Sequence, residues 1–480
     1  MKRSIIILIT CFPLYSLWAQ HGTLFRDKPI PDSSQLEMAA NVSKLDSLDL
    51  TVQDIIITGN KVTKDEVILR QMKIKKGSKF SSEDYKSDLH RIYNLGLFNR
   101  VDILPVPVSD KYVVVEVVVQ EKWYIYPMPE AGLDEGEWSK LWLGMNVRWA
   151  NFRGRDESLS ASFRILYNPS FRVSYRVPWI GENLHLFTAY SVGYSKMRNE
   201  SLQAQDISNG SRTYYSNDTN FDYYHFNSQV TIGKYLTDKL NIFTDLSYNY
   251  LRVSQFYPGR TVSPTGKDKY LGIGFGLSFD SRDIREFATK GFYFNSNYTR
   301  YGLIDRTINF ARYNVESESF IPINFKNDYY ITIASKVFTS LAMGPVIPLY
   351  DHEILGYSGN YVRGWRGLAY EGENEFTAYN EIRIPILQPS YTKASEFPVL
   401  KSMPYIKNMD LKHGLYFSII YDVGSVWYKD ERIYDQRFLS GTGIGLEAIL
   451  PFGYILRTEW VMRIDDPLRS EFGLTLGAKF

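Results

Sequence analysis

From Trp123 to Phe480 the chain repeats one pattern: short runs in which apolar and polar side chains alternate, cut by Gly, Asn, Asp and Pro. A period of two is the mark of a strand with one apolar face. Leu159, Ala161, Phe163, Ile165 and Tyr167 alternate with Ser158, Ser160, Ser162 and Arg164. Phe171, Val173, Tyr175 and Val177 alternate with Arg172, Ser174 and Arg176. Tyr454, Leu456, Trp460 and Met462 alternate with Arg457, Glu459 and Arg463. The last run, from Phe472, keeps the alternation through to the aromatic Phe480, where a chain end in water would fray. Charges are costly against lipid and cheap in a water-filled interior. The sorting therefore predicts a mainly β chain built on an antiparallel transmembrane β-barrel of about 16 strands, roughly 22 residues per strand and turn.

Composition agrees without deciding the matter. The 37 Tyr and 9 Trp suit a water–lipid boundary, where a ring with a polar tip is at home. No apolar run long enough for a membrane helix follows the N-terminus. A net charge of +2 gives no reason to expect nucleic acid. Residues 1–19 read as a signal peptide, with Lys2 and Arg3 ahead of the apolar Ile5–Ile9 and a small Ala19 at the cut. The single cysteine, Cys11, falls inside that segment, so the processed chain is expected to hold neither a disulfide nor a cysteine metal site. The six histidines lack metal-ligand spacing, and no phosphate loop or nucleophile elbow occurs. The expectation is a non-enzyme with no catalytic residues, metal or cofactor. Asp351-His352-Glu353, the one dense polar trio with a histidine, is expected to face water.

Residues 20–50 are polar and aperiodic, a linker, and residues 51–122 read as a compact α/β domain. Val52–Thr58 forms a strand stopped by Gly59-Asn60; Thr63 is placed to cap a helix reaching about Met72, with Glu66 as its capping-box partner. Ser81 or Ser82 caps a second helix that ends at Gly96, and two strands follow, Val101–Val106 and Tyr112–Val119.

This order, with Ile92-Tyr93-Asn94-Leu95-Gly96-Leu97-Phe98 ahead of a strand, resembles a POTRA domain. Residues 123–480 then carry Asn151-Phe152-Arg153-Gly154-Arg155, Asp280-Ser281-Arg282-Asp283 with Gly291, Val362-Arg363-Gly364-Trp365, and Asp422-Val423-Gly424. In that order the motifs resemble the BamA/TamA superfamily of POTRA-plus-barrel proteins. One departure is Ile420, where the family usually has Phe. The resemblance implies a Gram-negative outer-membrane barrel with its POTRA domain in the periplasm. It also implies that the sixth outer loop, about Pro345 to Glu375, folds into the lumen and pairs Arg363 with Glu381 and Asp422 on the wall. Asp280, Arg282, Asp283 and Gly291 are expected to build a periplasmic turn, while residues 388–412 read as an inserted loop on the same side. The implied function is assembly or translocation of unfolded outer-membrane or secreted proteins, without ATP, with accessory periplasmic proteins or lipoproteins as further partners. Val101 and Ile103 mark the sheet edge expected to receive a client. Gly473, Gly477 and Phe480 mark the last strand, as one side of a seam or as lumen space and as an assembly signal. The alternative is a passive channel with a periplasmic anchor.

Overall fold

The computed structural model describes residues 48–476 apart from residue 94 and the stretches 134–137, 182–183, 202–220, 284–286, 304–306, 326–328, 357–359, 397–401, 403–409 and 451–454. The signal segment, the linker through residue 47, Gly477 and Phe480 lie outside the described residues.

The N-terminal domain runs β1 (Thr51–Thr58), α1 (Asp65–Leu69), α2 (Ser82–Tyr93), β2 (Phe98–Pro107) and β3 (Tyr112–Glu121). The central strand is β3, parallel to β1 and antiparallel to β2. Its alternate residues Val113, Val115, Val117 and Val119 are buried against Val67, Ile68 and Ile92 of the helices. Each such side chain contributes about 1.5–3 kcal/mol by leaving water. Ser81 caps α2 by accepting the Glu83 and Asp84 amides at 3.2 and 3.4 Å. Buried Asp88 accepts the Lys73 and Ile74 amides at 2.7 and 2.9 Å, fixing the connection between the helices. Thr63 does not cap α1. Its hydroxyl donates instead to Glu121 at 2.6 Å, and the helix, with no side-chain cap, ends at Leu69 rather than Met72.

Among the described residues, sixteen antiparallel strands form one sheet that curls into the barrel. The first eight are β4 (Ile125–Leu133), β5 (Leu141–Phe152), β6 (Glu157–Leu166), β7 (Ser170–Ile180), β8 (Leu186–Arg198), β9 (Asp222–Tyr235), β10 (Leu240–Val253) and β11 (Lys267–Asp280). Next come β12 (Gly291–Tyr301), β13 (Phe310–Asn324) and β14 (Tyr330–Met343). A long loop follows, holding a small ribbon of β15 (Glu353–Leu355) and β16 (Tyr370–Gly372). The wall resumes with β17 (Asn374–Lys393), β18 (Asp410–Trp427), β19 (Leu439–Ile449), β20 (Ile455–Arg463) and β21 (Ser470–Leu476). Phe163, Ile165, Phe171, Trp460 and Phe472 stand exposed on the outer face, as a lipid-facing wall requires.

The connection expected as an inserted loop at 388–412 is strand at both ends, through Lys393 and from Asp410, among the described residues. Ser390 pairs with His413 and Lys393 with Asp410, after register shifts beyond Pro385. Pairing of β17 with β14 stops at Arg383, so this two-stranded ribbon projects past the wall on the side of the N-terminal domain.

Candidate functional site

The long loop between β14 and β17 first crosses the mouth of the barrel and then descends into it. Leu349 packs with Phe221, Tyr223 and Leu251, while Tyr350 donates to Asp268 at 2.9 Å. Asp351, His352 and Glu353 do not face water as expected. Arg312 binds Asp351 and Glu353 at 2.7 Å each, and His352 contacts Glu371 at 2.7 Å with both side chains 3% exposed. The wall arginine and the returning strand of the loop enclose the trio, which sequence spacing alone did not show.

Deeper in the lumen, Arg363 is 1% exposed. Its Nε and Nη2 donate to the two oxygens of Asp422 at 2.5 and 2.6 Å, and Nη1 donates to Glu381 at 2.7 Å. This forked geometry is one that a guanidinium provides and an ammonium does not. Glu381 is a hub: Arg457 reaches it at 2.7 Å and Arg383 at 2.9 Å. Glu447 joins through Arg457 at 2.7 Å. Three guanidiniums thus face three carboxylates at contact distance, with Glu459 3.8 Å from Arg363. Buried charges persist only with such compensation.

Neighbouring residues shape the seat. Val362 packs with Leu355, Trp365 and Leu439. The Trp365 indole donates to the Ser440 carbonyl at 3.0 Å under the Arg463 guanidinium, which itself donates to the Gly364 carbonyl at 2.7 Å. Gly364 takes φ +94°, a left-handed conformation suited to glycine. The opposing wall, Gly441-Thr442-Gly443-Ile444-Gly445, turns three bare backbones inward. A Cβ at Gly441 would stand 1.8 Å from the Arg363 carbonyl oxygen. Ile420, the departure from the family pattern, is fully buried beside Gly445.

From the opposite end comes the turn after β11. Arg282 binds Asp280 at 3.0 Å and Glu318 at 2.5 Å, and lies over the Tyr293 ring. Asp283 accepts the Thr289 and Lys290 amides at 3.0 and 3.2 Å. Gly291 has φ +115° and lies so close to Ser281 that a Cβ would be 2.4 Å from its carbonyl oxygen. The turn carries Phe287 inward against Tyr416, Ile449 and Ile455, and Arg383 stacks over Phe287 at 4.3 Å. Loop and turn therefore meet on the same Glu381–Arg383 pair from opposite ends. Alternation had placed Arg457 on the inner face without giving it a partner. Glu447 was missed, although it continues the inward row of Gly441, Gly443 and Gly445.

The N-terminal domain is joined to the barrel by the turn Asn151–Arg155. Asn151 donates to the Thr63 hydroxyl at 2.8 Å, and the Lys64 amide donates to the Gly154 carbonyl at 2.8 Å. Tyr124 lies 3.1 Å from Thr63 and donates to Leu97 at 3.2 Å; burial pushes its hydroxyl up, keeping it a donor. Arg70 reaches Asp156 at 3.2 Å. The hydroxyl assigned to a helix cap is thus a joint between domain and barrel.

Val101 and Ile103 lie on β2, one of the two edge strands of the N-terminal sheet, but their side chains are buried in its core. Only their backbone can meet a partner. On the barrel the sheet order ends at β4 and β21, and no ladder joins these two strands among the described residues. Gly473 on β21 faces Glu459; a Cβ there would be 2.9 Å from Glu459 Cγ.

Comparison with known proteins fits this architecture. A family model described as the Omp85 superfamily domain matches residues 151–459, and one described as a surface antigen variable number repeat, a POTRA model, matches residues 50–122. An outer membrane protein assembly factor of Treponema pallidum (strain Nichols) is 27% identical over 135 residues, which span 27% of this chain and 16% of that protein. BamA from Haemophilus ducreyi lacking POTRA domains 1–3 superposes with a TM-score of 0.58 at 17% identity, covering 88% of this chain and 82% of that one. CdiB from Escherichia coli gives 0.59 at 13% identity, covering 88% and 75%. At these identities the two structures speak for the fold. With its barrel motifs inside a match that spans more than half its residues, the chain belongs to the Omp85 superfamily.

Proposed function

We propose that this outer-membrane barrel, with its POTRA domain in the periplasm, assembles or translocates other proteins without ATP. Unfolded outer-membrane or secreted chains are its clients. The observation that carries this reading is the pair of end strands in the barrel sheet: β4 and β21 each have one side without a ladder among the described residues. A client strand can add to such an edge by main-chain hydrogen bonds. The POTRA sheet offers a second edge on β2, because the outer edge of β1 is partly covered by residues 77–80. Pro105 within β2 suits an edge strand, where a missing N–H is tolerated. The braced loop also holds the last strand, since the Arg366 amide donates to the Glu471 carboxylate on β21 at 3.2 Å.

A photo-crosslinker at Val106, exposed on β2, tests this in living cells. Nascent outer-membrane or secreted proteins are the expected captures. A functional protein that captures no client overturns the reading.

A further inference from the structure

The inner wall of β5–β8, away from the loop network, is built differently. A cavity there is lined by Ser160, Ser162, Ser174, Ser191, Arg172 and Arg176, with Asn146 beside them. No carboxylate lines it among the described residues. Ser160, Ser174 and Ser191 pair in one row across three strands, and Ser162 pairs with Arg172 in the next. Ser160 and Ser174 hydroxyls lie 3.0 Å apart, and Arg176 is oriented by the Tyr235 hydroxyl at 2.9 Å. Gly193 lies beside Arg172, where a Cβ would make only ordinary contact with Arg172 Cζ at 3.5 Å. Among the described residues, two buried polar atoms of the lining lack a hydrogen-bond partner. These are Ser191 Oγ, on a residue only 4% exposed, and Asn146 Oδ1. A buried polar atom without a partner is costly to the fold, so an incoming ligand that satisfied it would gain affinity.

We propose that this wall is a binding site for an extended, acidic polypeptide segment in the lumen, with Arg172 and Arg176 receiving its carboxylates. Hydroxyls and guanidiniums donate to oxyanions, and a lining with no carboxylate repels none. The dimensions favour a strand over a single small anion. Arg172 and Arg176 are four residues apart on β7, about 13 Å at the strand rise, and the serine row crosses three strands, about 10 Å. An extended segment repeats its side chains at the same spacing, so acids four residues apart meet both arginines. Asn146 Oδ1, an acceptor, suits the segment's backbone N–H, while Ser191 Oγ can donate to a carboxylate. The proposal rests on the transport reading only in assuming that polypeptide enters the barrel.

The test uses the full-length protein in detergent and fluorescently labelled Glu-Ser-Glu-Ser-Glu-Ser-Glu, with its lysine counterpart and inorganic phosphate as probes. The acidic peptide is expected to bind, more weakly as salt rises, while the lysine peptide does not. Arg172→Ser with Arg176→Ser should weaken binding about tenfold or more. Ser174→Asp keeps both arginines, occupies them with an internal carboxylate and should weaken binding as well. Heat-modifiable gel migration verifies that each variant is folded. Equal binding of the two peptides, or unchanged affinity in both folded variants, overturns the proposal. Competition by phosphate as potent, mole for mole, as the peptide marks a lone-anion site and overturns the polypeptide assignment. Because binding is read on purified protein, failure here leaves client capture at Val106 standing, and the converse holds.

Discussion

Replacing Arg363 by alanine tests how the long loop is held. Among the described residues Asp422 takes its guanidinium contacts from Arg363 alone, at 2.5 and 2.6 Å, whereas Glu381 keeps Arg383 and Arg457. The variant therefore strands one buried carboxylate, and breaking a buried pair this way costs about 3–5 kcal/mol. Most of that cost falls on the docked loop, shifting its docking equilibrium by about two to three powers of ten. Trypsin added to intact cells reads the shift, because Arg366 has its side chain mostly buried in the docked loop. Cleavage after Arg366 is expected in Arg363→Ala and not in the parent. A companion variant, Arg363→Ala with Asp422→Asn, removes the stranded charge and should recover part of the protection. If Arg363→Ala stays as resistant as the parent, the loop is held by packing alone and the charge argument fails. If the double variant is as sensitive as the single one, the stranded carboxylate is not the cause.

Gly441→Ala changes no charge but places a Cβ 1.8 Å from the Arg363 carbonyl, so the same tryptic site should open; protection equal to the parent would show that the wall can yield. Asn151→Gly keeps the left-handed backbone at φ 52° and removes the side-chain bonds to Thr63 and the Asp156 amide. It should loosen the POTRA joint by about 1–3 kcal/mol, seen as faster hydrogen exchange at residues 62–64 with the barrel unchanged. Gly291→Ala forces a strained φ of +115° and a clash with Ser281, a cost of about 1–3 kcal/mol. The measurable result should be a lower yield of heat-modifiable barrel after refolding.

The wall was legible in the sequence because alternation is local and charge enforces it: Arg457 and Glu459 cannot both face lipid. Loop pairing was legible only through motif resemblance, since 59 residues separate Arg363 from Asp422 and no periodicity links them. What escaped notice depended on contacts between distant elements. Thr63 obeys a capping rule locally and was claimed instead by Glu121 and Asn151. Asp351-His352-Glu353 looked solvated because a polar trio gives no hint of the arginine on β13 that covers it. Alternation placed Arg172 and Arg176 inward; their shared cavity with serines of three strands needed the register.

The Glu381 hub also sets an order of events. Its cations come from the loop, from β17 itself and from β20, and the glycine seat lies on β19. Until those strands are in register, Arg363 has no complete counter-charge and its carbonyl no bare wall to rest on. Long-range closures of this kind are repaid only when the last participant arrives. The seated loop is therefore a record kept by the molecule that the C-terminal quarter of its own wall has finished forming.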